Sequence, residues 1–147
     1  MAIVRKLAKK YGYEAKDNFT NWRIDAAIDE VSDHFTAFYG ASIKTRKFDD
    51  EGCKLYLEAA TKFVSSFEKK LQSHGLKYVA SDKISGADFE VAKIVFNFFY
   101  NDAFMAGAMF TTPAKAILEA SPLFSAYVQR LKKDLESYLS SRKPSPM

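Results

Sequence analysis

Ile84-Ser85-Gly86-Ala87-Asp88-Phe89 constrains this chain more than any other stretch. Ser85 and Asp88 stand at the spacing of a capping box, S/T-x-x-E/Q, with Asp in the place of Glu. Ser85 can accept from the backbone N–H at the third helical position, and Asp88 can reach back to the N–H of Ser85. The Asp88 charge also suits the positive end of a helix. Ile84 and Phe89 occupy the two positions of a hydrophobic staple. The helix that follows, Glu90 to Asn101, is apolar almost all round. Only Glu90, Lys93, Asn97 and Asn101 interrupt it, at steps of three, four and four, as one narrow polar stripe. A helix of this kind is buried on most sides and belongs at the centre of a helical domain. Burial is also why its first turn needs so complete a set of partners.

At 147 residues the chain is long enough for one domain with a full core, and 48% hydrophobic residues argue against disorder. No apolar run approaches the ~20 residues of a membrane span. The net charge of +4 is local: Arg5, Lys6, Lys9 and Lys10 account for all of it, and residues 11–147 balance. The remaining bases are scattered as pairs among equal numbers of acids, which is not the clustered footprint of a nucleic-acid surface. Cys53 is the only cysteine, so no disulfide framework exists, and a reducing compartment is expected. No motif links Cys53 to a base, and the two histidines, His34 and His74, show none. The chain has no metal-ligand spacing, nucleophile elbow or phosphate-binding glycine loop. No catalytic residue and no metal ligand is therefore assigned.

The apolar spacing is helical throughout, and no strand-like alternation or internal repeat is present. Ile3, Val4, Leu7, Ala8 and Tyr11 share one face of a first helix that Gly12 ends. Asn18 or Thr20 starts a second helix to about Tyr39-Gly40, with Ile24, Ala27, Ile28, Val31, Phe35 and Phe38 facing the core. On it Asp25, Asp29 and Asp33 recur every four residues as an acidic stripe. Stacked like charges cost a few tenths of a kcal/mol, so the stripe is either a solvated face or has a partner. Asp49-Asp50-Glu51 opens a third helix, and His74-Gly75 closes it. The segment Phe104-Met105-Ala106-Gly107-Ala108-Met109-Phe110 reads as a packed helix end rather than a cofactor box. Thr112-Pro113 starts a short helix to about Ala120, and Ser121-Pro122 starts the last one, which buries Phe124, Tyr127, Val128, Leu131, Leu135, Tyr138 and Leu139. Lys143-Pro144-Ser145-Pro146 is expected to fray.

Three stretches in this order and spacing resemble the C-terminal helical domain of cytosolic glutathione transferases, in the alpha, mu, pi and sigma branch. Residues Val79 to Phe89 look like the capping motif before that family's central helix. Residues Ser121 to Leu131 resemble the start of its last long helix. Residues Ile24 to Asp33 are similar to the acidic face of its first long helix in this domain. The resemblance implies an all-α bundle of five to six helices with no sheet. It also makes Ala2-Ile3-Val4-Arg5-Lys6-Leu7-Ala8 look like the tail of the last helix of a thioredoxin-like domain. The expected division is residues 1–13 as a remnant of that domain and residues 14–147 as the helical domain.

The family's thiol-activating hydroxyl and glutathione-holding loop precede that helix, so the chain alone is expected to be non-catalytic and to need no cofactor. Glutathione becomes relevant only if a thioredoxin-like domain is supplied. In that case Asp33 matches the aspartate that contacts glutathione bound to the neighbouring subunit. The expected role is a structural, protein-contact subunit, as a homodimer or in a larger complex. The alternative is a fragment of an active transferase acting on apolar electrophiles. Residues 1–13, left without a first domain, are expected to lay Ile3, Val4, Leu7 and Tyr11 onto the bundle. They are amphipathic, basic and acid-free, so a mitochondrial presequence is the alternative to a cytoplasmic protein.

Overall fold

The computed structural model of the chain describes residues 2–143 and 145. Seven α-helices follow one another: α1 Ala2–Tyr11, α2 Asn18–Tyr39, α3 Asp50–His74, α4 Gly86–Ile94, α5 Ala108–Glu119, α6 Pro122–Asp134 and α7 Glu136–Ser141. Two π-helical turns, Gly40–Lys44 and Val95–Phe99, continue α2 and α4. No strand occurs among the described residues.

The helix opened by Ser85 runs through the middle of the bundle. Val91, Ile94, Val95 and Phe98 are completely buried, and α2, α5 and α6 pack around them. Aromatic rings fill the centre. Phe98 stacks on Phe38 with centroids 5.1 Å apart, Tyr56 meets Phe38 edge-on at 5.2 Å, and Phe124 meets Phe63 edge-on at 5.5 Å. Such pairs add ~0.5–1.5 kcal/mol each beyond the area they bury. The π turns have side-chain partners, one local and two distant in sequence. Opening the ladder frees carbonyls, and side chains take them. Tyr56 donates its hydroxyl to the Phe98 carbonyl, Arg142 Nη2 donates to the Phe96 carbonyl at 3.0 Å, and Ser42 Oγ donates to the Phe38 carbonyl at 2.6 Å.

Helix ends with self-contained chemistry sit where the pattern puts them. Asp49 caps α3 by accepting from the N–H of Gly52 at 2.8 Å. Gly75, at φ 61°, closes it in the left-handed conformation that glycine adopts without strain. Helix α2 starts at Asn18, and Asp17 before it supplies the cap by accepting from the N–H of Thr20 at 2.8 Å. Other boundaries move. Helix α5 starts at Ala108, not at Thr112-Pro113, so Pro113 lies inside it. Its missing N–H leaves the Met109 carbonyl without the usual donor, and the Cys53 thiol sits 3.5 Å from that oxygen. Helix α6 does start at Pro122 with Ser121 at the cap position, but the serine side chain makes no cap bond. Glu68 reaches from α3 and accepts from the N–H groups of Leu123 and Phe124, at 3.2 and 2.6 Å. The last helix breaks at Leu135, with φ −103° and ψ 10°, so the described part of residues 14–147 holds six α-helices, within the five to six expected.

Two expectations about the chain ends are corrected. Val4 and Ala8 face the bundle, but Ile3, Leu7 and Tyr11 are 75%, 46% and 62% exposed. A Cβ on Gly86 would stand 3.1 Å from the Ala8 Cβ, so only small side chains of α1 fit where it crosses α4. Arg5, held against α2, fixes the rotation of the helix in that position. At the other end, the Ser145 carbonyl accepts from Asn101 Nδ2 at 2.9 Å, so the tail is tied back there rather than frayed. Pro144 and Pro146 lie outside the described residues.

Candidate functional site

Asp88 is the most enclosed carboxylate described, at 0% exposure, and it has four donors. Oδ2 accepts from the Ser85 N–H at 2.8 Å and the Ser85 hydroxyl at 2.7 Å. Oδ1 accepts from the Val79 N–H at 3.1 Å and the Tyr127 hydroxyl at 2.7 Å. The box of Ser85 and Asp88 is reciprocal, and Phe89, at the fourth helical position, packs edge-on against Tyr13 with centroids 4.8 Å apart. Ile84 is half-buried against the core. Burial pushes the Asp88 pKa up, and its hydrogen bonds oppose that shift. With every acceptor position filled by the protein's own donors, this carboxylate ties three segments together and has no free edge for a substrate.

The acidic stripe of α2 divides into two parts. Arg5 from α1 takes Asp25 through Nε at 2.6 Å and Asp29 through Nη2 at 2.7 Å. Asp33 is exposed and has no hydrogen-bond or ion-pair partner among the described residues. Between Asp29 and Asp33, Glu30 turns inward toward α3. It accepts from Ser66 and Lys70 and lies 3.9 Å from His34 Nε2. Neither Arg5 nor Lys70 was assigned to these acids from the sequence. Arg5 lies twenty residues from Asp25, which leaves no local signal.

The groups that could act as nucleophiles are tuned away from that role. Burial raises the Cys53 thiol, and Asp50 adds to the effect. Burial likewise raises the phenols of Tyr56, Tyr100 and Tyr127, and with Asp134 it pushes Tyr78 up to about 12. Activating a thiol or hydroxyl requires the opposite shift. His34 and His74 are both lowered, first by burial, and each is committed to its own helix pair or turn. Among the described residues no three His, Cys, Asp or Glu side chains gather to hold a metal ion, and no helix is long and apolar enough to cross a membrane.

The comparisons with known proteins agree with one another. Residues 29–142 match the family described as "Glutathione S-transferase, C-terminal domain". "Glutathione S-transferase A4" of Mus musculus is 28% identical over 151 residues, covering 99% of this chain and 63% of its own. "Glutathione S-transferase A" of Cavia porcellus is 29% identical over 146 residues, covering 99% and 64%. This chain thus spans less than two thirds of the length of these relatives. The crystal structure of the glutathione S-transferase Blo t 8 superimposes with a TM-score of 0.72 at 19% identity, over 99% of this chain and 65% of that one, which is a likeness of fold.

Proposed function

The chain belongs to the glutathione S-transferase C-terminal domain family, and on that premise we propose that it works as a protein-contact subunit, non-catalytic by itself. The observation that carries this reading is the outer face of α1. Ile3, Leu7 and Tyr11 recur every four residues and stay exposed, while the opposite side of the same helix is latched to α2 and α4. Apolar stripes held rigidly in solvent mark interfaces. The raised thiol and phenols support the non-catalytic half of the proposal. The same proposal assigns residues 1–13 to the last helix of a thioredoxin-like domain and residues 14–147 to the helical domain proper.

Assembly through α2 and α3 is the first form this contact takes. A groove of about 290 Å³ runs between them, with Ala37 and Gly40 on one side and Leu55, Glu58 and Lys62 on the other. Small residues permit close approach, and Glu58 with Lys62 offers each copy an opposite charge in a two-fold pairing. Docking into a larger complex through α1 is the second form. The folded, bundle-facing side of α1 favours a cytoplasmic protein over a cleaved presequence.

A second reading is a fragment of an active transferase, and one observation favours it. Asp33 alone of the stripe keeps a free, exposed carboxylate. Paired across a dimer with a first domain present, it would meet the ammonium of glutathione bound to the neighbour. Two measurements separate the readings. Sedimentation and native co-purification test assembly; a strictly monomeric protein with no partner defeats the subunit proposal. Retention of the purified chain on immobilised glutathione, with elution by free glutathione, would show that the domain binds the tripeptide unaided and overturn its non-catalytic assignment.

A further inference from the structure

We infer that the end of the bundle where α1 turns back into α2 is a docking surface for a membrane bearing anionic phospholipid. Phe19 and Trp22, on the first two turns of α2, stack with ring centroids 5.8 Å apart and are 66% and 63% exposed. Packing of the fold accounts for neither, since Ile24, Ala27 and Ile28 are the residues that this part of α2 gives to the core. Arg23 places its guanidinium 5.9 Å from the centre of the Phe19 ring, so a cation is held beside the exposed pair.

Charge decides what such a surface meets. The salt bridges from Arg5 to Asp25 and Asp29 lay α1 along α2, and the chain reverses between residues 12 and 17. Lys9 and Lys10, at the end of α1, therefore lie at the same end of the bundle as Phe19 and Trp22. Lys16 in the turn and Lys83, which lines the same hollow as Lys16, add to them. None of these four lysines is held in a salt bridge among the described residues. The acids at this end are fewer and partly engaged: Asp17 accepts from the Thr20 N–H and Asp82 from the Lys77 N–H. Exposed rings beside unpaired cations have the make-up of an interfacial anchor, in which the rings enter the headgroup region and the cations meet lipid phosphates. A second copy of this chain would bring like charges together instead. The inference goes beyond the protein-contact reading and does not rest on it.

The test is cosedimentation of the full chain with phosphatidylcholine vesicles, with and without phosphatidylserine, read together with the emission of Trp22, the only tryptophan in the chain. The expected result is binding that requires phosphatidylserine, weakens as salt is raised and shifts the Trp22 emission to the blue. Lipid brominated near the headgroup end of its acyl chains should quench that emission more than lipid brominated at the far end. A variant carrying Lys9→Gln, Lys10→Gln and Lys16→Gln should bind about tenfold more weakly or worse, and so should one carrying Phe19→Ser and Trp22→Ser. All five side chains are exposed, so thermal melts of both variants should match wild type, which keeps a loss of binding distinct from unfolding. Absence of binding to phosphatidylserine vesicles, equal binding without that lipid, a Trp22 emission unmoved in the bound protein, or full binding by either variant would each overturn the inference. Quenching of Trp22 by single-stranded DNA with no response to vesicles would overturn it in favour of a nucleic-acid surface.

Discussion

The hydroxyl of Tyr127 donates to Oδ1 of Asp88 at 2.7 Å, in a site from which both residues exclude solvent almost completely. That single bond joins α6 to the first turn of α4, thirty-nine residues apart in the chain. It converts a local cap into the meeting point of three segments, since the Val79 N–H shares the same oxygen.

Asp88→Ala should therefore destabilise the fold more than Ser85→Ala. The serine variant loses one cap, at ~1 kcal/mol. The aspartate variant strands the Val79 and Ser85 N–H groups and the Tyr127 hydroxyl, each at ~1–3 kcal/mol if left without a partner. Urea denaturation of the two variants measures the difference, and equal losses would mean that Asp88 acts only as a cap. Tyr127→Phe should couple to Asp88→Ala in a double-mutant cycle.

Gly52→Ala should destabilise, although glycine to alanine in a helix normally stabilises by ~1 kcal/mol. A Cβ at Gly52 would stand 1.9 Å from the Lys47 carbonyl oxygen. Relieving that overlap means moving the entry to α3, a strain on the order of 1–3 kcal/mol. A rise in melting temperature for this variant would show that the Lys47 turn is not packed as described.

Glu68→Gln should cost about 1 kcal/mol through the start of α6, where the carboxylate accepts from two backbone N–H groups. Hydrogen exchange locates the effect: the amides of Leu123 and Phe124 should lose protection before those of α4. Uniform loss across the bundle would contradict a local cap.

Acidification should weaken the fold through the histidines. Burial lowers both His34 and His74 below the ordinary value of 6.5. A base whose folded pKa is depressed favours the unfolded chain once protonated. Their contribution is complete above the unfolded value and is lost as pH falls through the lower folded values. At His74 burial acts together with the nearby charges of Arg23 and Lys70, and Nδ1 also accepts from the Leu76 N–H at 3.1 Å, a bond lost on protonation. Melting temperature followed from pH 7.5 downward should fall, and His74→Gln should flatten part of that slope; a profile insensitive to both changes would refute it.

Leu7→Glu should leave the monomer's stability within ~0.5 kcal/mol, as expected for an exposed position, and abolish association with whatever covers α1. Sedimentation and pull-down from native extract read the second effect. Loss of stability without loss of association would place Leu7 in the fold rather than in an interface.

Much of the bundle was legible because helix starts and stops are local chemistry. Asp49 with Gly52, Ser85 with Asp88 and the left-handed Gly75 each complete their hydrogen bonds within a few residues, so the order of residue types suffices to place them. The all-helical class and the central, buried α4 follow from apolar spacing for the same reason. Tertiary structure alone decided everything whose partner is distant. Pro113 is tolerated inside α5 where Cys53 stands beside the freed Met109 carbonyl. Glu68 caps α6 across the bundle, Arg5 claims two of the three stripe aspartates, and Arg142 is pinned to the π turn after α4. The rotation of α1 shows the limit most clearly. Its apolar spacing marks Ile3, Leu7 and Tyr11 as a buried face, yet close approach to Gly86 admits only Ala8 and Val4. A hydrophobic pattern records which side chains favour leaving water, whereas the space available on a neighbouring helix decides which of them can.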